Sequence, residues 1–382
     1  MTKVYVGMSG GVDSSLTAAL LVEQGYDVTG VYMKNWTQDL PGMRCPWADD
    51  LADAKRVAVQ LGIDFKVFDF EKEYKQKVVD YMIDEYKNGR TPNPDIMCNQ
   101  EVKFKLFLEA SIEDGADMIA TGHYARIGNS SVHKSSEHTL QGDAPVAFGS
   151  PLATGSSDLN TDESTSANLR MAMDANKDQT YFLYRVTGEA LTRTLFPIGE
   201  FEKSKVREMS LERGLYTASK KDSQGICFVG QVGIREFLSQ YIDIIPGDIV
   251  DKVSGKKLGT HDGAIFYTLG QRHGLDVGGG LPYYVVGKDM DKNEVYVTTD
   301  LNDGELWKKE VRLTSVHWIN DSPKEGEFDI RVRHRAKLVK ANLRFDGDDV
   351  IFSLDNAERA VSPGQSIVIY DGEICLGGGI VV

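Results

Sequence analysis

A chain of 382 residues with 41% hydrophobic content is long enough for two or three domains, each with its own core. Its formal charge of −14 argues against indiscriminate coating of nucleic acid, which needs dense Lys and Arg, but leaves room for a basic patch on an acidic body. The opening MTKVYVGMSGG lacks the charged-then-apolar-then-small pattern of a signal peptide, no stretch approaches a membrane span, and Cys45, Cys98, Cys227 and Cys375 have neither CxxC nor zinc-ligand spacing. The expectation is a soluble cytoplasmic protein with no membrane association.

The N-terminal part alternates β-rich runs with helical periodicity. Strands are expected at Lys3 to Met8, Asp27 to Met33, Asp64 to Phe68 and Asp117 to Thr121. Helices are expected at about Ser14 to Gln24, Trp47 to Leu61, and twice across Glu71 to Glu113. This rhythm predicts an α/β fold with a parallel sheet covered on both faces, its ligands bound beyond the carboxyl ends of the strands. The segment from Asn129 to about Asn168, rich in Ser, Thr, Gly and Asp, reads as an exposed insertion in which His133 and His138 are surface residues. A helix from Glu202 to Arg213 follows. From Gly225 the pattern is mostly β, with strands at Ile249 to Val250, Ala264 to Thr268, Tyr283 to Val286, Glu294 to Thr298 and across Val311 to Val382. The division expected is a catalytic α/β domain over 1–218, a small central β-rich domain over 219–302 and a C-terminal β-barrel over 303–382.

Chemistry concentrates in three segments. Gly7-Met8-Ser9-Gly10-Gly11-Val12-Asp13-Ser14 follows a strand and opens a helix: glycines admit a phosphate close to the backbone, helix N–H groups and Ser hydroxyls donate to it, and Asp13 suits a magnesium ion. It lacks the Lys of a Walker A loop and the glycine spacing of a dinucleotide fingerprint. In Asn93-Pro94-Asp95-Ile96-Met97-Cys98-Asn99, a cysteine stands near a helix N-terminus, where a thiol is more readily ionised, three residues after a candidate acid or base. In Lys221-Asp222-Ser223-Gln224-Gly225-Ile226-Cys227-Phe228, the cysteine is either exposed at a hinge or the first residue of a buried strand. A basic run, Arg331, Arg333, Arg335, Lys337, Lys340 and Arg344, contains no acid; its first four members share one face if the segment is a strand, as a nucleic-acid contact or as a charge-protected edge.

SGGVDS resembles the PP-loop of N-type ATP pyrophosphatases, which adenylate a substrate and release pyrophosphate. In matched order, GMSGGVDSS, TPNPDIMCNQEVKF, ATGHYAR, DANKDQTYFLY, KKDSQGICFVG, YTLGQRHGL, VRHRAK and SPGQ resemble the tRNA-specific 2-thiouridylase family over nearly the whole chain except the Asn129 to Asn168 segment. The resemblance implies an N-terminal PP-loop domain that binds ATP through Gly7 to Ser14 with Met33 and Gly122, and magnesium at Asp13. It implies a nucleophile at Cys98 and a persulfide carrier at Cys227. Asn93, Pro94 and Asp95 match the segment contacting the target base, with Asp95 also a catalytic candidate. Lys177, Asp178, Gln179, Arg333 and His334 match positions contacting tRNA, joined by His123 and Gln365. The implied substrates are tRNAs of the Lys, Glu and Gln type with a wobble uridine, and a cysteine desulfurase or sulfur-relay protein is the implied donor. Sulfur reaches C2 by direct persulfide attack, or as hydrosulfide after Cys98 forms a disulfide with Cys227. Competing readings are a PP-loop ligase acting on a small substrate, which leaves both cysteines and the basic run without a task, and a noncatalytic tRNA-binding or sulfur-relay protein. A thiol-disulfide redox enzyme fits poorly without a CxxC.

Overall fold

The computed structural model describes residues 1–39, 45–129, 166–222, 233–275, 277–278 and 280–382. Its first strand, β1 (Lys3–Gly7), is buried along Val4 to Gly7 and lies at the centre of a five-stranded parallel sheet. After β1 come α1 (Val12–Glu23), β2 (Asp27–Lys34), α2 (Trp47–Leu61) and β3 (Asp64–Asp69). Two longer helices follow: α3 over 71–87, wound as a π-helix at Lys75–Val79, and α4 over 94–113, wound so at Cys98–Leu106. Then come β4 (Met118–Thr121), β5 (Arg126–Asn129), β6 (Ala167–Arg170), α5 (Thr180–Leu183), α6 (Gly188–Thr192), β7 (Thr194–Leu195) and α7 (Lys203–Glu212).

The sheet order is β3-β2-β1-β4-β7, and alternation along β1 decides its two covers. Val4 and Val6 pack with Ala18, Leu21, Ala54 and Val57 of α1 and α2, whereas Tyr5 packs with Val78, Met82, Val102 and Phe107 of α3 and α4. The expected parallel sheet with helices on both faces is therefore present. α2 ends at Gly62, whose φ of +67° supplies the left-handed stop.

The middle of the chain holds α8 (Ile234–Leu238) and a four-stranded sheet of β8 (Gly247–Asp251), β9 (Lys257–His261), β10 (Tyr284–Asp289) and β11 (Glu294–Thr298), ordered β10-β11-β8-β9. The strand expected at Ala264 to Thr268 is instead a 3-10 turn at Ala264–Phe266, whose Ala264 and Tyr267 close this domain's core from outside the sheet.

The last domain contains β12 (Trp307–Trp318), β13 (Gly326–Arg331), β14 (Val339–Asp346), β15 (Asp349–Arg359), β16 (Ser366–Asp371) and β17 (Ile374–Val381). They run β12-β15-β14-β13-β16-β17, and β12 pairs back onto β17, closing the expected barrel. The β5–β6 hairpin adds to β17 outside the closure, where Cys375 stands opposite Leu169, so the first and last domains share a sheet. The insertion expected from Asn129 to about Asn168 overlaps both strands at its ends, Asn129 closing β5 and Ala167 and Asn168 opening β6; 130–165, with His133 and His138, lie outside the described residues. Among the described residues, no helix is long and apolar enough to cross a membrane.

Candidate active site

At the end of β1, Met8 N donates to Val31 O of β2 at 2.8 Å. Gly10 then takes φ +71°, and a Cβ there would overlap the Asp50 carbonyl, so the turn and the close approach both demand glycine. Ser14 and Ser15 hydroxyls donate to Gly11 O at 3.2 and 2.8 Å, while Ser9 N donates to Ser14 Oγ at 3.2 Å. A Cβ on Gly122, just after β4, would stand 2.8 Å from both the Asp13 carbonyl carbon and Ser14 N, and one on Gly7 would meet Met33 Cε at 3.0 Å. The ends of β1, β2 and β4 thus gather Gly7, Met8, Ser9, Gly10, Gly11, Val12, Asp13, Ser14, Met33 and Gly122 around the opening turn of α1. Asn35, directly after β2, adds a buried Oδ1 that lacks a hydrogen-bond partner. A glycine cradle, two hydroxyls, a helix N-terminus and an orphaned acceptor suit a nucleotide and its phosphates.

Asp13 is the most contested group there. Tyr124 Oη donates to its Oδ1 at 2.9 Å, and Lys203 Nζ, from the first turn of α7, reaches its two oxygens at 2.6 and 2.8 Å. Burial and the Asp13 carboxylate push the Tyr124 phenol well above its ordinary pKa, so it remains a donor. Among the described residues no cluster of three or more His, Cys, Asp or Glu could hold a metal. One carboxylate beside a phosphate cradle nevertheless fits magnesium, which takes few protein ligands and shares the substrate's phosphates.

Gly122 leads directly to His123, and the two face different halves of the site. His123 Nδ1 is 2.8 Å from Thr121 Oγ1, and its ring packs against Phe104 of α4 and Phe196 at centroid distances of 5.5 and 6.1 Å. Burial, then Lys103, drives its pKa well below 6.5, so this is a neutral imidazole. Six residues before Phe104, at the start of the π-wound stretch of α4, stands Cys98, 1% exposed. Long π segments are rare and are often found at functional sites. Pro94 opens this helix and Asn93 stands at its N-cap position without a side-chain capping bond; Asn93 and Asp95 are half-buried. Asn99 Nδ2 donates to Phe182 O at 3.0 Å, joining α4 to α5.

Three domains meet just upstream. Thr91 N donates to Pro363 O of the barrel at 3.1 Å, its hydroxyl lies 3.2 Å from that of Thr268 in the central domain, and a Cβ on Gly364 would sit 2.8 Å from Thr91 N. The SPGQ turn containing Gln365 is therefore seated on the loop that delivers Asn93, Pro94 and Asp95.

Each residue of Lys177-Asp178-Gln179 has a different partner. Lys177 Nζ binds Asp222 Oδ2 at 2.8 Å. Asp178, 2% exposed, accepts from Arg331 of β13 at 2.7 Å, from Thr180 and from Ala172 N. Gln179 exchanges hydrogen bonds of 2.8 and 2.9 Å with the backbone of Tyr124. The expectation that Arg331, Arg333, Arg335 and Lys337 share a strand face is overturned: β13 ends at Arg331, and the next residues form the turn into β14, with Arg335 at φ +62°. Arg331 is buried against Asp178, Arg333 and Arg335 are exposed, and His334 lays its ring 4.5 Å from that of Phe182.

Cys227 lies outside the described residues. No disulfide joins Cys45, Cys98 and Cys375 to one another. Cys45 and Cys375 are both buried, and burial raises both thiols' pKa values, as befits unreactive core residues. Tyr124, Lys203 and Asp222 were not singled out by the sequence reading. The one local signal at Lys203 is its place in the first turn of α7, where a cation opposes the helix dipole.

The fold defines a three-domain protein: a parallel-sheet α/β domain with a glycine cradle at its strand ends, a small central β domain and a closed barrel. Family profiles divide the chain in the same way: the tRNA methyl transferase HUP domain over residues 2–231, the tRNA methyl transferase PRC-barrel domain over 235–299 and the aminomethyltransferase beta-barrel domain over 308–381. The tRNA-specific 2-thiouridylase MnmA of Bacillus subtilis strain 168 is 44% identical over 389 aligned positions, covering 100% of this chain and 95% of that protein. The proteins of the same name from Bacillus velezensis and Bacillus licheniformis match at 44% with the same coverage. The chain belongs to the tRNA-specific 2-thiouridylase family.

Proposed function

We propose that the protein is an ATP-dependent tRNA-uridine 2-sulfurtransferase. It moves AMP from ATP to the C2 oxygen of a wobble uridine, in tRNAs of the Lys, Glu and Gln type, releases pyrophosphate, and replaces that oxygen with sulfur to leave 2-thiouridine and AMP. The observation that carries this reading is the pair Gly122–His123. Gly122 closes on the glycine cradle, and His123 packs on Phe104 of α4, the helix whose first two turns carry Asp95 and Cys98; this supports an adenylating end and a thiol end served by neighbouring residues of one strand-end loop.

Unmodified, the uridine 2-oxygen is a poor leaving group; esterified to AMP, it departs as part of a phosphate. Ser9, Ser14 and the opening N–H groups of α1 hold the phosphates. Asp13 would hold magnesium, which when bound would neutralise charge on the phosphates. The target base leaves its stack to reach Asp95, at a cost of a few kcal/mol that is least in a single-stranded loop. Cys98 thiolate then attacks the inner sulfur of the Cys227 persulfide: a Cys98–Cys227 disulfide forms, and hydrosulfide departs with the electron pair. Hydrosulfide adds to C2 and AMP is expelled. Two equivalents of a cellular thiol, leaving as their own disulfide, return the Cys98–Cys227 disulfide to two cysteines, and a cysteine desulfurase or relay protein reloads Cys227.

The test is incubation with unmodified tRNA, Mg·ATP and a sulfide source, followed by nucleoside mass spectrometry and pyrophosphate assay. Appearance of 2-thiouridine supports the reading; neither thiolation nor pyrophosphate with any of the three tRNA types rejects it.

A further inference from the structure

Asp222 joins the ammonium groups of Lys177 and Lys203, whose backbone N–H groups both donate to Asp174. Its Oδ2 accepts from Lys177 Nζ at 2.8 Å, and its Oδ1 lies 2.5 Å from Arg207 Nη2 and 3.0 Å from Lys203 Nζ. Lys203 is simultaneously the cation on Asp13. On the other side, Lys177 lines a cavity of about 290 Å³ at the junction with the barrel, together with Asn176, Arg331 and Arg335. The Arg331 side chain is 10% exposed, and its buried Nε has no hydrogen-bond partner. An unbroken run of ionic contacts thus leads from a cationic cavity suited to an RNA phosphate, through Lys177, Asp222, Lys203 and Asp13, to the opening turn of α1.

The charges in this run compete. Burial works to raise the Asp222 carboxyl pKa, but hydrogen bonds and charge from Lys177 and Lys203 overcome it and hold the group at about 2, so Asp222 is an anion throughout the physiological range. If an RNA phosphate draws Lys177 away, Asp222 loses one counter-charge and binds Lys203 more strongly. Lys203 then withdraws from Asp13, and Asp13 is released from the lysine that competes with a magnesium-bound nucleotide for its oxygens.

We propose that Asp222 is a positioning residue through which RNA bound at the Lys177 face strengthens Mg·nucleotide binding at the α1 loop. This rests on the reading of the site as an RNA-modifying, ATP-using one. Such coupling commits ATP only when its acceptor is present. By linkage, the nucleotide strengthens RNA binding by the same factor.

The experiment uses the full chain and calorimetric titration of magnesium α,β-methylene-ATP, with and without a saturating unmodified lysine-tRNA transcript. For the native protein, RNA should tighten the nucleotide about 5-fold or more, within the usual range of coupling between sites. Asp222→Asn should bring that ratio to about 1 while each ligand still binds alone, and Asp222→Glu should restore it. A merely structural role would weaken both affinities and leave their ratio alone. Should Asp222→Asn fail to fold, Lys177→Gln breaks the same run from the RNA side, and its ratio should also fall to about 1. A ratio of 1 in the native protein, or a native ratio retained in Asp222→Asn or Lys177→Gln, overturns the proposal. Failure of the native protein to bind either ligand overturns the functional reading as well, and so separates the two.

Discussion

Every group at the nucleotide cradle comes from the ends of adjacent parallel strands: Gly7 to Ser14 after β1, Met33 on β2 and Gly122 after β4. The face around Asp95 and Cys98 draws on all three domains, through Thr91, Thr268 and Pro363. The first is positioned by the hydrogen-bonding of one sheet and tolerates little change at its glycines. The second depends on domain docking, and its integrity is only as good as interfaces far apart in sequence. One half of the site should therefore survive damage that disables the other.

The largest effect expected is loss of sulfur transfer without loss of adenylation. With a cysteine desulfurase and cysteine in place of free sulfide as the sulfur source, Cys98→Ser or Cys227→Ser should reduce 2-thiouridine formation by at least about 10³-fold, as for removal of a nucleophile. Pyrophosphate release with tRNA should stay within about 3-fold of native. Parallel collapse of both readouts in Cys98→Ser would show that the two halves are not independent. Cys45→Ala with Cys375→Ala, made as a control pair, should leave turnover largely intact, because both thiols are buried with raised pKa values.

Next comes the docking of the barrel. Arg331 and Asp178 form an ion pair in which the side chains are only 10% and 2% exposed, so removing one partner strands a buried charge. Arg331→Met should cost about 3–5 kcal/mol in urea unfolding, and Arg331→Met with Asp178→Asn distinctly less. A single-variant loss below about 1 kcal/mol would mean that water already reaches the pair. Gly122→Ala tests the other half: its Cβ would be driven against the backbone of Asp13 and Ser14, which cannot give way as a side-chain end can. Strain of about 1–3 kcal/mol there predicts a KM for ATP raised roughly 5- to 150-fold, with Cys98 reactivity toward a thiol reagent unchanged.

The same contrast explains what the sequence revealed. β1, β2, α2 and the cradle were legible because a strand, a glycine turn and a helix start are contiguous signals, and α2 runs from Trp47 to Leu61 as its periodicity implies. The barrel was legible in outline from its strand rhythm. What stayed hidden is long-range. Asp178 and Arg331 are 153 residues apart, Lys203 and Asp13 are 190 apart, and neither pair has a local signature. The alternation in Arg331 to Lys337 looked like a strand because periodicity records spacing and not the φ of Arg335, where the chain turns.

The smallest effect sharpens the question of which cations in that turn meet RNA. Lys340 and Arg344, farther along the same basic run, are already paired with Glu327, Asp329 and Glu310. Arg333 is exposed and has no acidic partner among the described residues, so it can neutralise an external phosphate without first giving up an internal one. One phosphate contact contributes a slope of roughly 0.7 to 0.9 to the logarithmic dependence of affinity on salt. Arg333→Ala should therefore weaken tRNA binding and flatten that slope by about this much, whereas Arg344→Ala should leave it nearly unchanged, because Glu310 already neutralises that guanidinium. Equal slopes for Arg333→Ala and the native protein would remove Arg333 from the RNA path. Flattening in both variants would mean that the Arg344 pair opens when RNA arrives, and that the docked face of this molecule is broader than its turn.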